Sequence, residues 1–268
     1  MTAINIFLTI LSWIFQSPTS ITTNSFSNTS EGFVRIHLVN LEADTIATVR
    51  DYNFGIWFKG QTLIVENVVV KFELMPDKNS KPAYLKPFSF VYYDSKNSKA
   101  QSYSAFNAAL KPEVSFVVKD SEYFTYDFLG KVNYPVDSTF EIADTIIAGN
   151  NFKRRVSEHF YGPDEHVKHI AYLKKDDPKM PVHLTPGFDR IFSPYRAYRV
   201  ESFFNDKLVR IEYMDERSTK LNLDEKKVFE TWKKNMGSSI FSSTVLEFKK
   251  FYANKWSEEF IQENSPKK

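Results

Sequence analysis

Three of the five histidines, His159, His166 and His169, fall close together in the chain. Imidazole is the side chain best suited to carry protons near neutral pH or to bind a metal. On a helix, His166-x-x-His169 would set two rings side by side. On a strand the odd spacing sends them to opposite faces. The residues around them alternate, so a strand is expected and a shared metal ligand set is not. The acidic neighbours Glu158, Asp164 and Glu165 fit a charged turn, and Asp176-Asp177 before Pro178 fits a loop. Lys153-Arg154-Arg155 fits a solvated strand entry. Arg190, Arg196, Arg199 and Arg217 are scattered rather than gathered as a phosphate site. No Gly-x-Ser-x-Gly, His-Glu-x-x-His, Walker A or Gly-x-Gly-x-x-Gly occurs. Cysteine is absent, which excludes disulfides, thiol catalysis and thiolate metal sites. No catalytic, cofactor-binding or metal-ligating residue is therefore assigned, and the chain is expected not to be an enzyme.

The element that carries the histidines occurs twice. Arg155 to Leu173 reads RVSEHFYGPDEHVKHIAYL, and Arg199 to Met214 reads RVESFFNDKLVRIEYM. Each copy begins Arg-Val and reaches an aromatic pair, Phe160-Tyr161 or Phe203-Phe204. Each then turns through Gly-Pro-Asp or Asn-Asp and leaves on an alternating strand. Val167, Ile170 and Tyr172 align with Val209, Ile211 and Tyr213. Two alternating runs joined by such residues predict a β-hairpin, and its recurrence suggests a duplicated unit. The second copy has no histidine; Arg210 falls near where His169 sits.

Further strands are predicted at Phe33–Val39, Tyr52–Phe58, Leu63–Leu74, Phe88–Tyr93, Glu113–Val118, Tyr123–Leu129 and Phe140–Ile147. Val34, Ile36 and Leu38 would face a core, with Arg35 and His37 toward water. Lys59-Gly60-Gln61 predicts a hairpin turn. Met75–Pro82 and Asp94–Lys99 read as loops, and Tyr103–Leu110 as a short helix. Lys174–Pro194 contains Pro178, Pro181, Pro186 and Pro194, so it reads as an ordered loop or lid. After Glu216 the period changes. Val228, Phe229, Trp232 and Met236 lie at helical spacing, with Asn222 as cap and Gly237 as stop. Thr244 to Glu247 fits a capping box. Behind it Phe241, Val245, Phe248, Tyr252, Trp256 and Phe260 form an aromatic stripe. The stripe suits a helix that covers the sheet, and Phe241, Phe248, Tyr252 and Trp256 are also candidates for binding a partner. The fold class is α+β and β-rich: one or two antiparallel sheets of hairpins with two C-terminal helices on one face.

The chain has 268 residues, 42% of them hydrophobic and 16% aromatic, with 25 Phe and 14 Tyr against 8 Gly. That composition suits sheets. Thirty-five basic against thirty-three acidic residues give a net charge of +2, which calls for neither nucleic acid nor an anionic membrane. Ile6 to Phe15 is an apolar core of signal-peptide length, and residues 17–22 are rich in small side chains. Residues 1–23 are read as a secretory signal cleaved near Thr19–Thr23. Residues 24–149 are read as an N-terminal β-rich unit, and 150–268 as a unit holding the repeated hairpin and the helices. No other stretch is apolar enough to span a bilayer, and Glu263 to Lys268 is polar, so a released, unanchored protein is expected. Asn28-Thr29-Ser30 is a glycosylation sequon.

Around Phe160-Tyr161, the Asp164 turn, Lys168 and Lys175-Asp176-Asp177-x-Lys179, the chain resembles secreted and surface proteins of piroplasm parasites (Theileria and Babesia). These include the FAINT-type modules and the major piroplasm surface antigens. Arg199 to Met214 fits the same pattern less fully. The chain departs from the family in lacking an acidic-basic low-complexity tail, a Pro/Gln-rich region and a membrane anchor. The resemblance implies a secreted, non-enzymatic protein acting in or on a host cell, with a protein as partner and no cofactor, and it supplies no catalytic residue. Two other functions fit the composition. One is a secreted binder of a small apolar ligand with a cavity under the C-terminal helices. The other is a secreted hydrolase whose acids or His–Asp pair converge in one cleft.

Overall fold

Among the described residues, twelve strands form one sheet. The structure, a computed structural model, describes residues 30–41, 51–71, 84–118, 136–162, 164–175, 182, 184, 192–244, 246–248 and 250–255. The expected signal segment, the Asn28 sequon, the Met75–Pro82 loop, the Tyr123–Leu129 strand, most of the Pro-rich segment and Trp256 lie outside them. The strands are β1 (Glu31–Asn40), β2 (Asp51–Lys59), β3 (Thr62–Lys71), β4 (Tyr84–Asp94), β5 (Lys99–Tyr103) and β6 (Val114–Val117). They continue with β7 (Ser138–Ile147), β8 (Asn150–Gly162), β9 (Glu165–Lys175), β10 (Tyr195–Phe204), β11 (Lys207–Ser218) and the short β12 (Ser243–Thr244). Helix α1 spans Leu223–Ser238. Helix α2 follows β12, and its described residues are 246–248 and 250–255.

The sheet order is β12-β6-β5-β4-β3-β2-β1-β11-β10-β9-β8-β7. Two antiparallel meanders, β1–β6 and β7–β11, meet where β1 pairs with β11, with Ile36 opposite Met214. Only β12 runs parallel to its neighbour. At the junction His37 stacks flat on Tyr213, ring centroids 4.6 Å apart. The boundary expected at Gly149-Asn150 falls instead in the tight turn between β7 and β8, where Gly149 takes a φ of 78°. It is the inside of a hairpin, not a linker.

Alternation along the strands explains three cores. Val34, Ile36 and Leu38 of β1 line one face with Ile56, Phe58, Leu63, Val65, Val200 and Met214. Val182, Leu184 and Phe192 from the Pro-rich segment are buried in the same cluster. The interior strand β4 reads Phe90-Val91-Tyr92-Tyr93, all buried, so it is covered on both sides. Val91 and Tyr93 meet α2 through Phe248 and Tyr252. Phe90 and Tyr92 meet α1 through Val228, Phe229, Trp232 and Met236.

The two helices therefore lie on opposite faces, not on one as the sequence suggests. Consecutive apolar residues on β4 leave a sheet that must be covered twice. Burial of each of those α1 side chains is worth about 1.5–3 kcal/mol. Asn222 caps α1 as expected, in a reciprocal capping box with Glu225. Gly237 lies inside the helix, and Ser239 is the C-cap. Thr244 and Glu247 form the second box: the Thr244 N–H donates to Glu247 Oε2 at 2.6 Å, and the Glu247 N–H to Thr244 Oγ1 at 3.3 Å. Tyr103–Leu110 is not a helix. Tyr103 ends β5, and Phe106, Ala108 and Leu110 pack under α1 from a chain of turns.

Candidate functional site

Both copies of the repeat are hairpins, β8–β9 and β10–β11, and β9 pairs with β10. Their turns consequently sit side by side at one end of the sheet. Asn205 and Asp206, at φ 46° and 62°, make the second turn, a conformation asparagine and aspartate tolerate better than most residues. Asn205 also ties the turns together. Its amide donates to the Asp164 carbonyl at 2.8 Å, and its Oδ1 accepts from the His166 N–H at 2.9 Å. Its own N–H donates to the His166 carbonyl at 2.9 Å.

This staple brings the two aromatic pairs together. Phe160 lies opposite His166, Phe203 opposite Lys168 and Phe204 opposite Val167. Adjacent residues on a strand point to opposite faces. Each copy thus contributes one ring per face: Phe160 and Phe203 to the α1 side, Tyr161 and Phe204 to the other. Phe160 is 54% exposed, Tyr161 63% and Phe204 42%. Three exposed large rings thus stand at one end of the sheet, Phe160 on one face and Tyr161 and Phe204 on the other.

The rings are mounted on polar groups. Phe160 stacks on His166 with centroids 4.5 Å apart and planes within 10°. His159 meets Tyr161 edge-to-face at 4.4 Å. Each of these histidines faces a carboxylate, His159 Nδ1 at 2.9 Å from Asp137 and His166 Nε2 at 3.6 Å from Glu158. Asp137 also accepts the Phe160 N–H at 2.8 Å, which fixes the strand at that ring. Lys168 lies 5.1 Å over the Phe203 ring and 2.6 Å from Asp206, whose carboxyl it holds below the usual range.

The three histidines do not converge. His166 and His169 take opposite faces of β9, and His159 and His166 face different acids. Among the described residues no group of three or more His, Asp or Glu is placed to hold a metal. His169 Nδ1 is 2.9 Å from Ser202 Oγ, the geometry of a nucleophile and base. Burial, and then the charge of Arg210, push this imidazole down to about 4. Arg210 is itself paired with Glu212. A base so weak, with a cation beside it, is poorly suited to take a serine proton near neutral pH.

The aromatic stripe behaves differently. Phe248 and Tyr252 are buried against β4–β6, and Phe248 stacks on Phe116 at 4.4 Å. Tyr252 shares a hydrogen bond with Ser102 and donates to Glu113 at 2.8 Å. These two side chains hold α2 on the sheet and are not free to bind a partner. Phe241 is half-buried, with Lys99 4.7 Å over its ring. Under α1, Trp232 is fully buried and stacks on Tyr103 at 3.7 Å. The described C-terminal helical residues thus pack against buried aromatic side chains of β4–β6.

Sequence reasoning noticed the aromatic pairs but did not name them as a site. The signal was there, since each pair stands immediately before a turn in both copies. No helix of the described residues is long and apolar enough to cross a membrane. Set against known families the chain matches no family model, and no curated protein matches it.

Proposed function

We propose that this protein works by binding another protein, without catalysis, and that the aromatic end of the paired hairpins is its binding surface. The observation that carries the reading is the exposure of Phe160, Tyr161 and Phe204 at one end of the sheet, on two hairpins stapled by Asn205. Aromatic side chains that protrude from a rigid frame supply much of the energy at protein interfaces. The apolar N-terminal stretch and the resemblance to piroplasm secreted and surface proteins support a secreted protein acting at a host interface. The aromatic side chains packed under α1 and α2 weigh against a small apolar ligand there. The weak basicity of His169 weighs against hydrolysis.

The test is capture from host-cell membranes with the full chain and with F160S/Y161S/F204S. A control carries serine at Ile146, Leu223 and Ile240, which are also exposed. The reading expects a saturable partner for the wild type and the control and none for the hairpin variant, with all three folded by circular dichroism. Equal capture by all three would refute it.

A further inference from the structure

The charge around the exposed rings says what kind of partner they suit. Asp137, Glu158, Asp164, Glu165 and Asp206 stand in this end of the sheet with His159, His166, Lys168 and Lys207. Asp137 and Glu158 face the histidines and Asp206 pairs with Lys168, so Asp164 and Glu165 carry the acidic excess. Asp164 and Glu165 are exposed in the β8–β9 turn, beside Phe160 and Tyr161. An aromatic face attracts a cation through its quadrupole, and a carboxylate close by adds to that attraction.

The hairpins already hold one cation in this manner. Lys168 sits over Phe203 while its ammonium pairs with Asp206. A second copy of this end would bring carboxylates against carboxylates. A nucleic acid or an anionic membrane would meet the same repulsion.

We infer that the aromatic end of the paired hairpins docks a cationic protein surface, one that presents arginine or lysine among apolar side chains. This rests on that end being a binding surface at all. The partner's apolar groups wrap the end of the sheet, covering Phe160 on one face and Tyr161 and Phe204 on the other, and its basic groups lie over the rings and against Asp164 and Glu165. Arginine is favoured over lysine, because its planar guanidinium stacks on rings and pairs with carboxylates at once.

The experiment is selection of a random twelve-residue peptide display library on the full chain, with counter-selection on F160S/Y161S/F204S. Circular dichroism and the thermal midpoint establish that the variant is folded. The expected result is a set of peptides that need the three rings, with Arg and Lys enriched about twofold or more over the unselected library. Their affinity should fall about fivefold in D164N/E165Q, and again by a few-fold between low and 0.3 M salt. Ring-dependent peptides with no excess of basic residues would overturn the cationic partner and leave the binding surface standing. No ring-dependent peptide at all would overturn both. Sedimentation of the chain with phosphatidylcholine vesicles, lost in the serine variant, would make the surface a membrane-binding one and overturn this proposal.

Discussion

Asn205 joins the turn of one hairpin to the turn of the other, its side-chain amide donating to the Asp164 carbonyl at 2.8 Å. Its φ of 46° is one that a β-branched or bulky residue would resist. Asn205→Ala should cost about 1–2 kcal/mol in urea unfolding, from the lost side-chain hydrogen bonds and the strained turn. Asn205→Gly should cost less, since it keeps the turn and loses only the staple. In both, the aromatic resonances of Phe160, Tyr161 and Phe204 should shift while those of Trp232 stay. Unmoved hairpin resonances would show that Asn205 does not hold the two turns together.

The junction of the two meanders depends on Gly32. A Cβ there would lie 2.5 Å from the Ser218 carbonyl oxygen and 2.6 Å from Phe58 Cζ. The backbone contact cannot be relieved by a rotamer change. Gly32→Ala should destabilise by about 1–3 kcal/mol, and amide hydrogen exchange should rise along β1 and β11 before it rises in β8 and β9. Uniform exchange across the sheet would contradict this picture of the seam.

Truncation of the two helix anchors should act on opposite faces. Trp232→Ala removes a fully buried ring stacked on Tyr103 and should cost about 3–5 kcal/mol. Phe248→Ala should cost a similar amount by releasing α2 from Phe116. Because α1 and α2 share no core cluster, the double variant should be close to additive. A large coupling energy would place both helices in one core after all.

His169 gives stability a defined pH dependence. Its folded value is about 4, against 6.5 for the free side chain, because burial and Arg210 disfavour the charged ring. Between those values the unfolded chain binds the proton more readily, so stability falls as pH falls. The contribution is fully present above about pH 6.5 and is lost on approaching pH 4; it amounts to about 3 kcal/mol at most, of which about 2 would be gone by pH 5. Urea unfolding of the wild type and His169→Gln at pH 7 and pH 5 measures it. The wild type should lose more than the variant by about that amount, and equal losses would mean that His169 titrates normally in the fold.

Much of this architecture can be read from alternation and turn chemistry. The hairpins at Gly60-Gln61 and Asn205-Asp206, the core face of β1 and the cap at Asn222 all follow from local rules. β5 does not. Its sequence Lys-Ala-Gln-Ser-Tyr reads as the edge of a loop, yet four of its five residues are buried. Gln101 accepts from Tyr103 within the strand at 2.8 Å, and the other partners come from other elements. Gln101 donates to Ser239 at 2.6 Å and to Ser115 at 3.0 Å, and Ser102 bonds Tyr252.

The same lack of local signal hid the opposite placement of the helices. It depends on β4 lying inside the sheet, between β5 and β3, and that follows from the strand order as a whole. The candidate site was half legible. The repeat drew attention to the aromatic pairs, but only the β9–β10 pairing, with Phe204 opposite Val167, sets both pairs at one end of the sheet.

The central claim is that this surface makes the contact, and a photoreactive side chain tests it most directly. Benzoylphenylalanine at Tyr161, 63% exposed on the hairpins, is compared with the same group at Leu223, 86% exposed at the start of α1. Each chain is irradiated on host-cell membranes. The account predicts a saturable protein adduct from position 161, suppressed by F160S/F204S, and none from position 223. An adduct from position 223 alone, or equal labelling that ignores F160S/F204S, would contradict it.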